Sequence, residues 1–375
     1  MPSSAVRAFT DPDAYFAGIR NLQIDGFVAG RGEFRAVSTR IDLHRLWMYR
    51  FDESLPRVMK VTPSGTRAGI LFAIDPEQPT MQANGVETSQ NQIAKFGLDQ
   101  DWYHRSSAPC EWGTMSLARE DLAAAGETII GRELVQPTFV GSLTPPVNAL
   151  SRLRTLHEAA GHLAKTAPDI LVRPEVARAI EQALVEVMVF CLADGHSNDV
   201  RNVHRHRMKV MQRLEEVLRA NPEKPLHMAE LSAKVGASYW TLRDCCLEYL
   251  GMSPKRYLWL RRMHLARRAL RRADAEGTTV TEIASDYGFW EFGRFSVAYR
   301  SLFGESPSTT LRRTPDERRL ETDRFPSVDA PLQARENVGV VVARGRMLSS
   351  VRPLNAAGTQ PPACMGVRGL GPDHP

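Results

Sequence analysis

The feature that most constrains the fold is an internal repeat in the last third of the chain. Residues 231–254 and 283–307 share one spacing: an apolar residue, a glycine five positions later, and a Gly-x-Ser-Pro about fifteen positions after that glycine. The offset between the copies is 52 residues at the first position and 53 at the last. A glycine of this kind ends a helix with a positive φ, after which a second helix begins. The repeat therefore predicts two helix-turn-helix units.

The residues around these glycines set the predicted helix limits. Ser238 and the serine of each Ser-Pro pair are suitable N-caps, and proline suits the first helical position. We expect helices over 228–235 and 239–249 in the first unit, over 280–286 and 291–302 in the second, and over 254–272 between them. The connecting helix, with Leu258, Leu265 and Ala269 along one face, is about 28 Å long. That length approaches the roughly 34 Å between successive major-groove faces of B-DNA.

The net charge of +5 is confined to this repeated region. Residues 221–320 hold 17 Lys and Arg against 12 Asp and Glu, whereas the rest of the chain holds 31 of each sign. The excess is concentrated in the connecting helix, which contains Arg261, Arg262, Arg267, Arg268, Arg271 and Arg272. A local basic excess favours a polyanionic partner. We therefore expect these arginines to anchor the phosphate backbone of DNA.

Residues 226–313 resemble the DNA-binding domain of AraC/XylS-type transcriptional regulators, in which a long helix joins two helix-turn-helix units. The most diagnostic stretch is IASDYGFWEFGRFSVAYRSLFGESP, from Ile283 to Pro307. The N-terminal part is similar, more loosely, to the β-rich sensing domain of many members, chiefly in HRSSAPCEWGTMSL from His104 to Leu117. The resemblance implies a sequence-specific transcriptional regulator that binds double-stranded promoter DNA as a homodimer, responds to a small-molecule effector and has RNA polymerase as a further partner.

By position in the family motif, the first recognition helix faces the DNA groove. Its candidate contact residues are Ser238, Tyr239, Trp240, Thr241, Arg243 and Asp244. Arg243 can read guanine O6 and N7, Trp240 can contact a thymine methyl group, and Asp244 can accept from cytosine N4. Family members often have a basic residue where Asp244 stands. This carboxylate must therefore meet a cytosine amino group or pair with Arg243 to avoid repulsion from phosphate.

The second recognition helix has fewer hydrogen-bond donors. Its candidate contact residues are Trp290, Glu291, Gly293, Arg294, Val297 and Arg300. Residues 281–310 contain two basic residues against four acidic ones. We expect this unit to hold the backbone or sense DNA shape, so that most base reading falls to the first unit. Phe289, Phe295 and Tyr299 are expected in the core.

The first third of the chain shows a different pattern. Short runs of alternating apolar and polar residues over 25–117 are typical of antiparallel strands, and Asn84-Gly85 predicts a hairpin turn. Helices are expected at 119–125, 150–165, 174–194 and 202–220. The predicted class is α+β, with an N-terminal antiparallel β-barrel or jelly-roll (cupin-like) sensing domain with helices and a C-terminal all-α domain. We expect a sensing domain at 1–145, a helical dimerisation or linker region at 146–221, a DNA-binding domain at 222–320 and a disordered tail at 321–375.

Two sets of apolar residues allow either a core or a binding role. In the helix at 174–194, five residues recur every three to four positions and favour either core packing or a dimer interface: Val176, Ile180, Leu184, Val187 and Cys191. In the β-rich part, four aromatic residues either line an internal ligand cavity or belong to the core: Trp47, Tyr49, Trp102 and Trp112.

The alternative function is a DNA-binding regulator without an effector, whose N-terminal domain serves assembly or protein partners. An enzyme is disfavoured, because a cupin-like active site needs a His/Glu metal set and residues 25–117 contain only His44 and His104. His157 and His162 diverge by about 140° around a helix, so no metal ion or cofactor is expected. No apolar run approaches the roughly 20 residues of a membrane span. With five cysteines that lack disulfide or metal spacing, a cytoplasmic location is expected.

Overall fold

The alternating runs of the first third form short strands. The computed structural model describes residues 1–20, 22–63, 67–96, 101–134, 141–197, 201–221 and 226–313, and the tail predicted at 321–375 lies outside these ranges. The strands are β1 (Ser3–Phe9), β2 (Leu22–Val28), β3 (Ala36–Asp42), β4 (Trp47–Glu53), β5 (Arg57–Pro63), β6 (Arg67–Ala73), β7 (Met81–Ala83), β8 (Val86–Thr88), β9 (Ile93–Phe96), β10 (Trp102–Arg105), β11 (Cys110–Ala118), β12 (Gly141–Thr144) and β13 (His196–Ser197).

These strands make two antiparallel sheets that pack face to face. An eight-stranded sheet has the order β1-β3-β4-β11-β6-β9-β12-β13, and a five-stranded sheet has the order β2-β5-β10-β7-β8. Between them lies an apolar core to which both sheets contribute, for example Met59 from β5 and Leu71 from β6. Phe96 of one sheet stacks on Trp102 of the other, with ring centroids 5.9 Å apart. The predicted antiparallel β part of the fold class is confirmed.

The hairpin predicted at Asn84-Gly85 is confirmed, and the sheet begins earlier than predicted. Asn84 and Gly85 have φ of 52° and 78° and join β7 to β8. Upstream of the predicted strands, β1 pairs along its whole length with β3, Ser3 opposite Asp42 and Phe9 opposite Ala36. The sequence hides this strand because Arg7 and its neighbours are only half-buried and break the alternation.

Helices cover the outer faces of both sheets. They are α1 (Pro12–Ala17), α2 (Arg119–Ile130), α3 (Val147–Thr166), α4 (Pro168–Leu171), α5 (Pro174–Ala193), α6 (Arg201–Ala220), α7 (Met228–Val235), α8 (Tyr239–Leu250), α9 (Pro254–Arg272), α10 (Val280–Asp286), α11 (Phe292–Phe303) and α12 (Pro307–Arg312). Helices α2, α3 and α5 pack on the eight-stranded sheet. From the stripe predicted in α5, Leu184, Val187 and Cys191 are buried in that layer. This face of α5 therefore packs within the protein.

Both predicted helix-turn-helix units are present. Helix α7 ends at Gly236, whose φ is 69°, and α8 follows its N-cap Ser238, whose hydroxyl accepts from the Thr241 N–H. In the second unit, Gly288 has φ of 74° between α10 and α11. Ser253 and Ser306 cap α9 and α12, each with proline at the start of the helix. The predicted helical domain with a connecting helix is confirmed.

The turn glycine of the first unit is directly testable. At the left-handed φ of Gly236, a Cβ would meet only Arg213, at 3.7 Å, so the cost of Gly236→Ala is conformational. We expect Gly236→Ala to lower the free energy of unfolding by about 1 kcal/mol, measured by urea unfolding. Gly293→Ala is the matched control, because a Cβ at Gly293 has nothing within 4 Å and its φ is not positive. Equal losses in both variants would contradict this explanation.

The helical domain is docked on the outer face of the five-stranded sheet. Phe27, Val58 and Tyr103 leave the sheet on the side away from the eight-stranded sheet and join the core of the helical domain. Tyr103 meets Tyr249 of α8 with ring centroids 5.8 Å apart, and Phe27 meets Tyr257 of α9 at 5.5 Å. Helix α6 also packs into this core. The protein is therefore layered: helices, eight-stranded sheet, five-stranded sheet, helical domain.

The connecting helix α9 buries more residues than the apolar face named from the sequence. Leu258, Leu265 and Ala269 are only partly buried. The buried positions are Pro254, Tyr257, Leu260, Met263, His264, Ala266, Arg267 and Leu270. The helix is covered on more than one side because α9 lies between the five-stranded sheet and the other helices of its own domain.

Buried His264 makes this docking sensitive to acid. Its Nε2–H donates to the Val28 carbonyl at 3.0 Å. Burial lowers the pKa of His264 from 6.5 to about 3; Arg267 and Arg268 also lower the pKa, whereas the Val28 carbonyl and Asp11 raise it. Between these two pKa values the unfolded chain binds the proton and the folded protein does not. The stability that neutral His264 contributes is therefore fully present above the ordinary pKa of 6.5. It is lost as the pH falls towards the pKa of about 3 in the folded protein.

We expect the free energy of unfolding to decrease as the pH falls below 6.5 towards 3. The measurement is urea unfolding over a pH series. His264→Gln keeps an N–H that can donate to Val28 and removes the titration, so its pH dependence should be flatter. A variant with the same slope as the wild type would show that His264 does not cause the acid sensitivity.

Candidate nucleic-acid interface

The first recognition helix, α8, has one buried and one exposed face. Leu242, Cys245 and Tyr249 point into the helical core. On the opposite face, 43% of Tyr239 and 67% of Trp240 are exposed. Ser238 and Thr241, both predicted contact residues, lie at the N-cap and in the first turn of the helix, where their hydroxyl oxygens are 2.9 Å apart. The exposed residues share one solvent-facing edge at the beginning of the helix, where a groove-binding helix meets base edges.

Arg243 lies between an aromatic ring and a carboxylate on this edge. Its guanidinium carbon is 5.8 Å from the centre of the Trp240 ring, and its Nη1 is 3.4 Å from Oδ1 of Asp244. The side chains of Arg243 and Asp244 remain 43% and 60% exposed. The negative charge of Asp244, which would otherwise be repelled by phosphate, is balanced by Arg243. The same contact orients the Arg243 side chain.

The second recognition helix, α11, presents a more neutral surface. Trp290 and Val297 are 72% and 73% exposed. Arg294 is paired with Glu291, Nη1 to Oε2, at 2.7 Å. Gly293 and Arg300 are exposed on the same helix, whereas Phe295 and Tyr299 are buried as predicted. Because Arg294 is balanced by Glu291, Arg300 is the remaining predicted cation of this unit.

The connecting helix does not offer its arginines to DNA as predicted. Four of them form ion pairs with the N-terminal domain: Arg261 with Asp25 at 3.3 Å, Arg267 with Asp11 at 2.8 Å, Arg268 with Asp13 at 2.7 Å, and Arg271 with Asp11 at 2.7 Å. Arg262 points at the Gly288 carbonyl and lies over the Phe289 ring, and Arg272 is exposed. The expectation was wrong because composition does not reveal the acidic residues that face this helix from a distant part of the chain.

The helical domain is similar in sequence to known DNA-binding regulators. Residues 231–313 match a family model described as a helix-turn-helix domain. The chain is 41% identical over 105 residues to a XylDLEGF operon transcriptional activator of Pseudomonas putida, an alignment covering 28% of this chain and 30% of that protein. The chain carries an AraC/XylS-type DNA-binding domain. The predicted resemblance is confirmed.

Similarity beyond the AraC/XylS-type domain is weaker. A probable thc operon regulatory protein of Rhodococcus erythropolis is 29% identical over 199 residues, which cover 53% of this chain and 59% of that protein. The chain thus spans less than two thirds of the length of either of these curated relatives. Among solved structures, the AraC-like transcriptional activator CuxR is 16% identical, with a TM-score of 0.39 over 76% of this chain and 100% of that chain.

The four aromatic residues predicted to line a ligand cavity surround one cavity between the two sheets. Trp47, Tyr49, Trp102 and Trp112 all line it, and its volume is about 50 Å³. The other lining side chains are mostly apolar: Ile19, Leu22, Ile24, Phe51, Met59, Val61, Pro63, Leu71 and Phe96, with Arg20, Arg67, Thr114 and Ser116 as the polar ones. The sequence interpretation named four rings that lie around one cavity and did not name those of Phe51 and Phe96; a ligand in this cavity stays a prediction.

A buried polar group beside this cavity was also missed. Arg57 and Glu53 have side chains with 0% exposure, and Nε of Arg57 is 2.9 Å from Oε2 of Glu53. Tyr15 donates its hydroxyl hydrogen to the same carboxylate. A signal for Arg57 was present, since the two-residue period of β5 places it on the face shared by Met59 and Val61. Charge at an inward-facing strand position marks a residue that needs a partner.

Proposed function

We propose that this chain is a sequence-specific DNA-binding transcriptional regulator that responds to a small molecule bound between its two sheets. The observation that carries the proposal is the exposure of Trp240, Trp290 and Val297 on the recognition helices of a domain whose remaining large apolar residues are mostly buried. Large apolar side chains left exposed in both helix-turn-helix units favour an interaction surface. Arg243 and Arg300 add donors to that surface, and the match to the family model covers both units.

The structure offers a route from the cavity to the DNA-binding domain. Along β5, Met59 faces the cavity and its neighbour Val58 packs into the helical domain; along β10, Trp102 and Tyr103 divide in the same way. One face of the five-stranded sheet therefore lines the cavity, and its other face packs against the helical domain. Any shift of this sheet moves both.

The size of the cavity makes such a shift necessary. At about 50 Å³ it is smaller than the roughly 150 Å³ apolar cavity known to hold benzene. A ligand with even one ring therefore needs a larger cavity, and we propose that the two sheets part to provide it. Protein interiors are close-packed and transmit such displacements. We propose that the parting of the sheets changes the position of α8 and α9, and so the DNA affinity.

The remaining parts of the proposal follow from the resemblance. We propose that the paired sheets are the jelly-roll, cupin-like sensing domain, with residues 1–145, 146–221 and 222–320 as sensing, linking and DNA-binding regions. None of the described helices is long and apolar enough to cross a membrane. We also propose that the protein acts in the cytoplasm as a homodimer and an activator working with RNA polymerase; the named Pseudomonas relative is a transcriptional activator.

Genome-wide recovery of bound DNA tests the regulator proposal in the source cell. We expect recovery of a small set of upstream regions that share one sequence element, and their loss in a strain carrying Trp240→Ala. The exposed side chain of Trp240 makes this substitution harmless to the fold. Recovery of DNA without a shared element, or an unchanged set with Trp240→Ala, would contradict sequence-specific binding through α8.

The small cavity also favours a second candidate, a regulator without an effector. In that case the N-terminal domain serves assembly or protein partners, and the 50 Å³ cavity is a packing defect. Thermal unfolding across a metabolite library separates the two candidates. An effector-responsive protein shows a concentration-dependent rise in Tm with a few related compounds. No rise with any compound supports the second candidate.

A further inference from the structure

Four buried side chains between the two sheets, two of which line the cavity, carry hydrogen-bonding groups without a partner among the described residues. They are Arg57 (Nη1 and Nη2), Trp102 (Nε1), His104 (Nδ1 and Nε2) and Trp112 (Nε1). Their exposed fractions are 0%, 3%, 1% and 3%. A buried polar group left without a partner costs about 1–3 kcal/mol. Their concentration in one place points to a ligand that supplies hydrogen-bond acceptors.

The four side chains are near neighbours. The His104 ring lies 5.7 Å from Trp102 and 5.4 Å from Trp112, centroid to centroid. The guanidinium carbon of Arg57 is 5.1 Å from the centre of the Trp112 ring. Both tryptophans line the cavity, and the buried indole N–H group of each has no partner among the described residues. We call these four residues the inner subsite.

The inner subsite is rich in donors and has no net charge. The charge of Arg57 is balanced by Glu53 at 2.9 Å. Burial, with Arg57 nearby, lowers the pKa of His104 well below 6.5, so its ring is neutral. An anionic ligand at Arg57 would bring a second negative charge close to buried Glu53, and burying an uncompensated charge is costly. The subsite therefore suits neutral acceptor oxygens better than carboxylates.

The arginines that line the rest of the cavity do not call for an anion either. Arg20 is paired with Asp42 at 3.0 Å. Arg67 donates to the Ser116 hydroxyl, the Ser116 carbonyl and the Arg45 carbonyl, and its guanidinium lies over the Trp47 ring at 4.0 Å. The remaining walls are aromatic: Phe51 stacks on Trp112 at 4.1 Å and Phe96 stacks on Trp102 at 5.9 Å. A flat unsaturated ring packs favourably against walls made of such rings.

We propose that the cavity binds an uncharged, flat, unsaturated molecule with a carbonyl-type oxygen, which accepts hydrogen bonds from the indole N–H groups of Trp102 and Trp112 and from Arg57. The proposal rests on the proposed function in taking this cavity as the effector site. It adds the chemical class of the ligand, an aromatic amide or ketone, and it excludes carboxylic acids as the preferred ligands.

Indole NMR signals with three one-ring probes test this class. The probes are benzamide, which is neutral with a carbonyl; benzoate, which has the same shape with a charge; and toluene, which has no acceptor. In the full chain labelled at the indole nitrogens, we expect millimolar benzamide to move the Trp102 and Trp112 N–H proton signals downfield in a saturable way. Benzoate should bind at least about tenfold more weakly, the counterpart of about 1.4 kcal/mol. Trp290, which lies outside α8 and α9 and is 72% exposed, is the internal control, and its signal should not move.

Two variants separate hydrogen bonding from shape. Trp112→Phe keeps an aromatic wall and removes the N–H. It should therefore weaken the binding of benzamide and leave the binding of toluene unchanged. Trp102→Phe should do the same, and it serves if the first variant does not fold. Tighter binding of benzoate than of benzamide, or equal weakening of toluene and benzamide in both variants, would overturn the proposal.

The same samples distinguish failure of this proposal from failure of the proposed function. DNA affinity is measured with each probe present and absent. Intact DNA binding with no indole response to benzamide overturns the inner subsite alone. A saturable benzamide response in a protein without sequence preference for DNA supports the subsite and contradicts the regulator proposal.

Discussion

Replacing Arg243 by alanine is expected to weaken binding to the preferred DNA site by about 1–3 kcal/mol, or about fivefold to 150-fold, and to relax the base preference at one position. The reason is geometric. Trp240 and Asp244 hold the guanidinium at the exposed edge of α8, and a bidentate contact to guanine needs a pre-oriented arginine. The measurement is fluorescence anisotropy against the preferred duplex and against single-base variants of it.

Arg300→Ala is the matched control on the second unit. Arg300 is exposed on α11, and we expect it to contact phosphate. Loss of its side chain should weaken binding to all DNA sequences alike and reduce the salt dependence of binding by about one counterion. If Arg243→Ala also weakens all duplexes equally, Arg243 is a backbone contact and base reading lies elsewhere.

The second large effect is expected at the contact between the two domains. Asp11 accepts ion pairs from Arg267 at 2.8 Å and Arg271 at 2.7 Å, and the side chains of Asp11 and Arg267 are 11% and 7% exposed. Burial raises the pKa of Asp11, but the two arginines outweigh it and the net shift is downward. Asp11→Asn leaves Arg267 buried and unpaired, which costs about 3–5 kcal/mol. Urea unfolding of the full chain measures this loss.

Asp13→Asn is the control that isolates the effect of burial, because the ion pair of Asp13 is as short as those of Asp11 but more exposed. Asp13 pairs with Arg268 at 2.7 Å, but these side chains are 30% and 28% exposed. Half-solvated pairs contribute about 1 kcal/mol or less. Asparagine at position 11 can still cap α1, so the difference between the variants reports the charge. Equal losses in the two variants would show that burial of the Asp11 pair does not dominate.

A double variant tests the same pair in the other direction. Asp11→Asn with Arg267→Met removes both charges, and an apolar side chain of similar length occupies the place of the arginine. We expect the double variant to be more stable than Asp11→Asn alone, since the more deeply buried of the two arginine charges is gone, while Arg271, 17% exposed, loses Asp11 in both variants. A double variant that is less stable than either single variant would mean that packing of Arg267, rather than its charge, is decisive.

The helical domain could be predicted almost to the residue because its signals are local. Gly236, Ser238 and the Ser-Pro pairs act within one turn of chain, through backbone φ and capping hydrogen bonds. The aromatic lining of the cavity was predictable in part, since a two-residue period places inward rings on one face.

The partners of charged residues could not be predicted from the sequence. Arg267 and Asp11 are 256 positions apart, and no local pattern links them. Docking of the helical domain on the five-stranded sheet turns a basic helix from a phosphate anchor into an interdomain contact. The period of β5 indicates that Arg57 faces inward, but its contacts with Glu53 and Trp112 become visible only in the structure.

Selection of duplexes from a random pool by the purified full chain, followed by footprinting of the preferred sequence, tests the central claim most directly. Two recognition helices joined by a rigid helix should protect two elements about one helical turn, or about 10 base pairs, apart on one face of the duplex. Trp240→Ala should remove protection of one element, and Trp290→Ala should weaken the other. No enriched sequence, or a single element unaffected by both substitutions, would contradict DNA recognition by this pair of helices.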